Sequence, residues 1–143
     1  IADILDDHGK ALADELGDNA VYVHTDVTVE DQVKAAVDLA VERFRRLDCM
    51  FNNAGAAGAH GKIDDITEEG FDATIALLFR GVFYGMKHAA AVMKEQGSGS
   101  IISTASVTGQ RRGGPQLYSA CKAAIINLTG NVALELGPFG IRV

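Results

Sequence analysis

Three side chains in this sequence have the types and order needed to move a proton at an alcohol or carbonyl oxygen: Ser106, Tyr118 and Lys122. Tyr118 and Lys122 are four residues apart in a segment that reads as helix, which puts both on one face. A free phenol holds its proton until about pH 10, so near neutrality about one in a thousand is ionised. An ammonium one turn away favours the phenolate and brings proton transfer towards the working range. Ser106 follows a strand-like run, twelve residues before Tyr118, and its hydroxyl is a donor suited to the same oxygen. The Tyr-x-x-x-Lys spacing is common by itself, and a solvated lysine beside a packing tyrosine would carry the same signature.

The surrounding segments alternate in period, and that alternation says what must position the three. Leu5 to Leu16 reads as a helix stopped by Gly17, and Ala20 to His24 as a strand. Thr28 is expected to cap a second helix, in which Val33, Ala36, Val37, Ala40, Val41 and Phe44 recur at helical spacing. Leu47 to Phe51 reads as a strand closing on the turn Asn52-Asn53-Ala54-Gly55. One long helix is expected from about Thr67 to Gln96, then a strand over Ser100 to Thr104 and a loop over Ala105 to Gly114. A helix over Gln116 to Leu136 and a strand starting at Ile141 complete the chain. Such alternation predicts an α/β fold with a parallel sheet covered by helices on both faces. Ligands bind such sheets beyond the carboxyl ends of the strands, where Asp26, Asn52 to Asp65 and Ser106 fall.

Composition narrows the function classes. At 143 residues the chain has the length of one domain, and 48% hydrophobic with 22% charged residues is ordinary for a globular protein. A net charge of -6, from 19 acidic and 13 basic residues, argues against a nucleic-acid or anionic-membrane surface. No apolar run approaches the roughly 20 residues of a membrane span and no signal peptide is evident, so a cytoplasmic location is expected. Cys49 and Cys121 are too few for a disulfide framework, and His8, His24, His60 and His88 lack ligand spacing, so no metal site is expected.

Taken together, Asn52-Asn53-Ala54-Gly55 after a strand, Ser106 after the next and Tyr118-x-x-x-Lys122 opening a helix resemble the short-chain dehydrogenase/reductase family, in its order and approximate spacing. The resemblance implies a Rossmann-type doubly wound parallel sheet and reversible hydride transfer between NAD(H) and a secondary alcohol or ketone. By the same resemblance Tyr118 would be the general acid/base, and Ser106 would polarise the substrate oxygen. Lys122 would favour the phenolate and, with Tyr118, hold the nicotinamide ribose. Asp3, near a strand end, would accept from the adenosine ribose hydroxyls and favour NAD over NADP. Asp26 and Val27 would contact adenine, and Asn52, Ala54 and Gly55 would let backbone approach the adenosine-side ribose. The resemblance further implies a homo-oligomer, a dimer or tetramer, formed through the long helix and the helix carrying Tyr118.

Two features depart from the family's pattern. Leu78 stands where the family usually has an asparagine that holds a water in a proton relay, and leucine has no polar atom for that task. Thr74, one turn earlier, is a candidate substitute. No Gly-x-Gly-x-x-Gly occurs and no glycine-rich turn precedes Asp3, so residues 1–143 are expected to be one incomplete domain from a chain of about 250. The missing first strand should leave the sheet in two halves. Competing readings are an NADP-linked reductase, epimerase or dehydratase relative, or a non-catalytic nucleotide-binding or interaction module. Among other motifs, Ser119-x-x-Lys122 lacks the companions of a penicillin-binding acyl enzyme. Arg111-Arg112 is expected to be an exposed basic pair.

Overall fold

A computed structural model describes residues 1–143. The elements in order are β1 (Ala2–Asp3), α1 (Asp6–Leu16), β2 (Val23–His24), α2 (Glu30–Phe44), β3 (Cys49–Asn52), α3 (Glu68–Ile75), α4 (Gly81–Gln96), β4 (Gly99–Ser103), α5 (Gln116–Leu136) and β5 (Ile141–Arg142). All strand pairs are parallel, in two sheets ordered β1-β2 and β3-β4-β5. Parallel strands require crossovers, and each pair here is joined through a helix. The fold class is the α/β arrangement that the alternating periods imply. The division into two sheets is the one expected without a first strand: β1 and β3 both line a cleft of about 430 Å³, with Ala2 and Asp3 on one side and Cys49 to Asn52 on the other.

The core lies on the larger sheet. Val82, Met86, Ala89 and Met93 of α4 pack with Ile101 of β4, Ile125 and Leu136 of α5 and Ile141 of β5. In α4 these apolar positions recur at three and four residues, the spacing that places them on one helical stripe. The β1-β2 unit has no such cluster. It is held by strand bonds and by Tyr22, whose hydroxyl donates to Asp6 Oδ1 at 2.6 Å and lies 2.8 Å from the Asp3 carbonyl oxygen. No helix is long and apolar enough to cross a membrane.

Several local expectations are corrected. Thr28 does not cap α2: Asp26 Oδ1 accepts both the Thr28 amide, at 2.9 Å, and its hydroxyl, at 2.8 Å, and Val29 takes the cap position. The long helix is not uniform. Residues 76–80 form a π-helical turn between α3 and α4, with the Gly81 amide donating to the Ala76 carbonyl five residues back. β2 starts three residues later than expected, β3 and β4 shift by one or two, and β5 starts at Ile141 as expected, because a strand extends only as far as its neighbour pairs with it. Thr67 does cap α3, accepting the Gly70 amide at 3.1 Å.

Candidate active site

Tyr118 and Lys122 stand in the first two turns of α5 and line a hollow of about 390 Å³ with Asn53, Gly55, Ala56, Ala57, Leu78 and Pro115. Pro115 precedes the helix at φ -55°, within its natural range, so the chain enters α5 without sacrificing an amide donor. Lys122 is 4% exposed and has no carboxylate partner. Its Nζ donates to the Thr104 carbonyl at 2.6 Å and lies 5.6 Å from the centre of the Tyr118 ring. An ammonium has three donors, so two remain for hydroxyl groups brought into the hollow.

Thr104 is the residue that ties the site together, and sequence reading missed it. Its carbonyl holds Lys122, its hydroxyl donates to Asn53 Oδ1 at 2.8 Å, and its amide donates to the Asn52 carbonyl at 3.0 Å. Asn52 is buried, and its Nδ2 donates to Ser103 Oγ at 3.3 Å. Its Oδ1 occupies the space that a side chain at Gly85 would fill, so α4 approaches β3 only because position 85 is glycine. The signal available in the sequence was the pair Gly81 and Gly85, four apart on a helix.

Ser106 stands outside the lining of the hollow, at the head of a 3₁₀ turn over residues 107–109. The turn seats on α5: a Cβ at Gly109 would lie 2.7 Å from the Lys122 carbonyl carbon and 2.8 Å from the Ala123 nitrogen. The Ser106 loop and the Tyr118 helix are therefore in register at Lys122. The Ser106 hydroxyl is within 3.1 Å of Thr108 Oγ1.

Asp3, Val27, Asn52 and Ala54 line the cleft between the two sheets, and Asn53 lines both this cleft and the Tyr118 hollow. Asn53 is thus common to the linings of both spaces. Asp3 Oδ1 accepts the Leu5 amide at 2.9 Å, which fixes the carboxylate and leaves Oδ2 for a ligand. Asp26 is not in the lining of either space; the Thr28 amide and hydroxyl bonds to it hold its carboxyl below the usual carboxylate range. Gly55 would bring a Cβ to 3.2 Å from Leu78 Cδ2, so a side chain there would crowd the hollow.

Leu78 is fully buried in the π-helical turn. Such turns widen a helix locally and often mark functional positions. Thr74 does not replace the absent asparagine. Its hydroxyl donates to the Gly70 carbonyl at 2.6 Å and accepts the Ala59 amide at 2.8 Å, so its proton is committed to holding the loop over α3. Arg111 and Arg112 are exposed and border a separate hollow with Ser119, on a different side of α5 from Tyr118 and Lys122. Burial pushes the Cys121 thiol up, away from reactivity. No group of three or more His, Cys, Asp or Glu residues is placed to hold a metal ion.

A family model described as enoyl-(acyl carrier protein) reductase matches residues 1–143. The chain belongs to the short-chain dehydrogenase/reductase family. It is 47% identical to (+)-borneol dehydrogenase 2 of Salvia officinalis, covering 100% of this chain and 52% of that protein. It is 48% identical to momilactone A synthase of Oryza sativa subsp. japonica, covering 100% and 53%. Among solved structures, 3-ketoacyl-(acyl-carrier-protein) reductase from Brucella melitensis, complexed with NADH, superposes with a TM-score of 0.92 at 31% identity, covering 100% of this chain and 61% of that one. The chain thus spans about half the length of the curated relatives it matches. Short-chain dehydrogenase/reductase membership accounts for the parallel α/β architecture and for the motif order along the chain.

Proposed function

We propose that this protein is an NAD(H)-dependent oxidoreductase that interconverts a secondary alcohol and a ketone. The observation that carries this reading is the Lys122 ammonium, buried without a counter-ion beside the Tyr118 ring, in a hollow that shares Asn53 with the Asp3-lined cleft. The dehydrogenase and reductase names of the relatives, and NADH in one structural neighbour, support it. A bound nicotinamide dinucleotide supplies or accepts the hydride. Tyr118 transfers the proton to or from the substrate oxygen, and Ser106 donates a hydrogen bond to that oxygen. Lys122 would hold ribose hydroxyls and stabilise the phenolate, while Asn52, Ala54 and Gly55 would let backbone approach the adenosine-side ribose. Asp3 selects NAD through the adenosine ribose, and Asp26 with Val27 receives adenine.

Oxidation of borneol, and of a panel of cyclic and aliphatic secondary alcohols, by NAD⁺ in the full-length protein tests the reading. Turnover lost at least a thousandfold in Tyr118→Phe, with NADH still bound by fluorescence titration, is the expected result. Binding of NADH with no turnover of any panel member or its ketone would overturn it. That outcome would favour a non-catalytic nucleotide-binding module, the reading to which buried Leu78 and the committed Thr74 hydroxyl point. The same reading includes a cytoplasmic homo-oligomer. Phe83 on α4 and Leu134 on α5 are exposed apolar side chains that a second subunit would cover, and a single monomer-sized species in light scattering would count against it.

A further inference from the structure

Ser106 does not stand alone. The Thr108 amide donates to Ser106 Oγ at 3.3 Å, and Thr108 Oγ1 lies 3.1 Å from the same oxygen. Thr108 is itself fixed. A Cβ at Gly114 would meet Thr108 Cγ2 at 2.8 Å and its Cβ at 2.9 Å, so the threonine packs directly against the backbone that leads into α5. Gly109, the next residue, closes onto the α5 backbone at Lys122 and Ala123. Both groups that approach Ser106 Oγ therefore come from one residue clamped between the turn and the helix carrying Tyr118.

A serine hydroxyl has one proton and two acceptor positions. The Thr108 amide takes one acceptor position, since it can only donate. When the Thr108 hydroxyl donates as well, both are filled, and the Ser106 proton is left with no partner inside the turn. It must then point outward. With no substrate oxygen present, the Ser106 proton can instead turn to Thr108 Oγ1, the other direction of the same 3.1 Å contact. A hydrogen bond received by Ser106 also polarises its O–H and strengthens the bond it donates. We propose that Thr108 is a positioning residue for the reaction: its amide and hydroxyl fill the acceptor sites of Ser106 and direct the Ser106 proton at the substrate oxygen. Thr108 acts through Ser106 and does not touch the substrate. This inference rests on the oxidoreductase reading, in which Ser106 meets that oxygen.

The test is steady-state kinetics of the full-length protein with NAD⁺ and the best alcohol from the panel above. Thr108→Val keeps the branched shape against Gly114 and removes the hydroxyl; Thr108→Ser keeps the hydroxyl. Thr108→Val should lower kcat ten- to a hundredfold with KM changed less than threefold, and Thr108→Ser should return kcat to within threefold of the parent. In a Ser106→Ala background, Thr108→Val should cost no more than twofold, because the group it acts through is gone. A merely structural role would cost the same factor in both backgrounds. An unchanged kcat in Thr108→Val, or an equal loss with and without Ser106, overturns the inference while leaving the oxidoreductase reading in place. Absence of turnover in the parent overturns both. If Thr108→Val does not fold, Thr108→Ala supplies the same comparison.

Discussion

Leu78 packs against Gly55 so closely that a Cβ on the glycine would stand 3.2 Å from Leu78 Cδ2. The contact closes the side of the Tyr118 hollow with hydrocarbon, at a point where the helix widens into its π turn. Leu78→Asn would bury an amide among apolar neighbours and remove a fully buried aliphatic side chain, costing about 2–4 kcal/mol of stability. Its kcat should stay within tenfold of the parent, because the proposed mechanism assigns direct handling of the proton to Tyr118, Lys122 and Ser106. A hundredfold gain in steady-state turnover would show that the parent's proton exit to solvent is broken at Leu78.

Two glycines on helices give opposite expectations for one substitution. At Gly85 an alanine methyl would fall on Asn52 Oδ1, forcing the amide away from Ser103 and α4 away from β3. Gly130 in α5 faces open space, with nothing near enough to meet a methyl. Gly85→Ala should therefore destabilise by about 1–3 kcal/mol, as overpacking does, despite alanine's helix preference. Gly130→Ala should stabilise by about 0.5–1 kcal/mol through that preference alone. Urea denaturation of the two variants against the parent measures both, and equal signs would refute the packing argument at Gly85.

The sequence was most legible where chemistry imposes a local spacing. Tyr118 and Lys122 share a face because helical geometry requires it, and the hollow has both in its lining. The fold class was legible for the same reason, since the alternating periods force helices onto a parallel sheet. What stayed hidden depends on which of several available partners a group takes and on local backbone geometry. Thr104 reaches Lys122 through a carbonyl, which every residue has, so its side chain carried no sign of that role. Thr28 looked like a helix cap, but Asp26, two residues earlier, captured both of its donors. The π turn at residues 76–80 left the apolar periodicity intact and could not be seen in it.

The proposed function makes Asp3 the residue that selects the cofactor, and a substitution there tests that assignment. Its Oδ1 is held by the Leu5 amide at 2.9 Å, and the residue lines the cleft that Asn53 also lines. A fixed negative charge there accepts ribose hydroxyls and repels a phosphate ester at the same place. Asp3→Ser removes the charge while keeping a group that can accept the Leu5 amide. The ratio of kcat/KM for NADPH over NADH should rise at least tenfold. An unchanged ratio would remove Asp3 from the selection of cofactor.

Tyr22, Asp6 and His24 form a cluster that joins β1, α1 and β2 and makes stability depend on pH at both extremes. Asp6 Oδ1 accepts the Tyr22 hydroxyl at 2.6 Å and lies 2.7 Å from His24 Nδ1. Burial of the ring, then the bond to Asp6, pushes the Tyr22 phenol up to about 12. The bond from Tyr22, then that from His24, holds the Asp6 carboxyl below its ordinary range. Above pH 10 the unfolded chain ionises Tyr22 while the folded chain keeps its proton, so this contribution is complete below pH 10 and is lost as pH rises to about 12. Asp6 works in the opposite sense: its contribution is present above the ordinary carboxylate value and is lost as pH falls through the lowered one. Thermal melts across pH should accordingly show a shallower alkaline fall in Tm for Tyr22→Phe than for the parent, and a shallower acid fall for Asp6→Asn. Parallel alkaline slopes in parent and Tyr22→Phe would mean that other groups, not this phenol, set the high-pH limit of the fold.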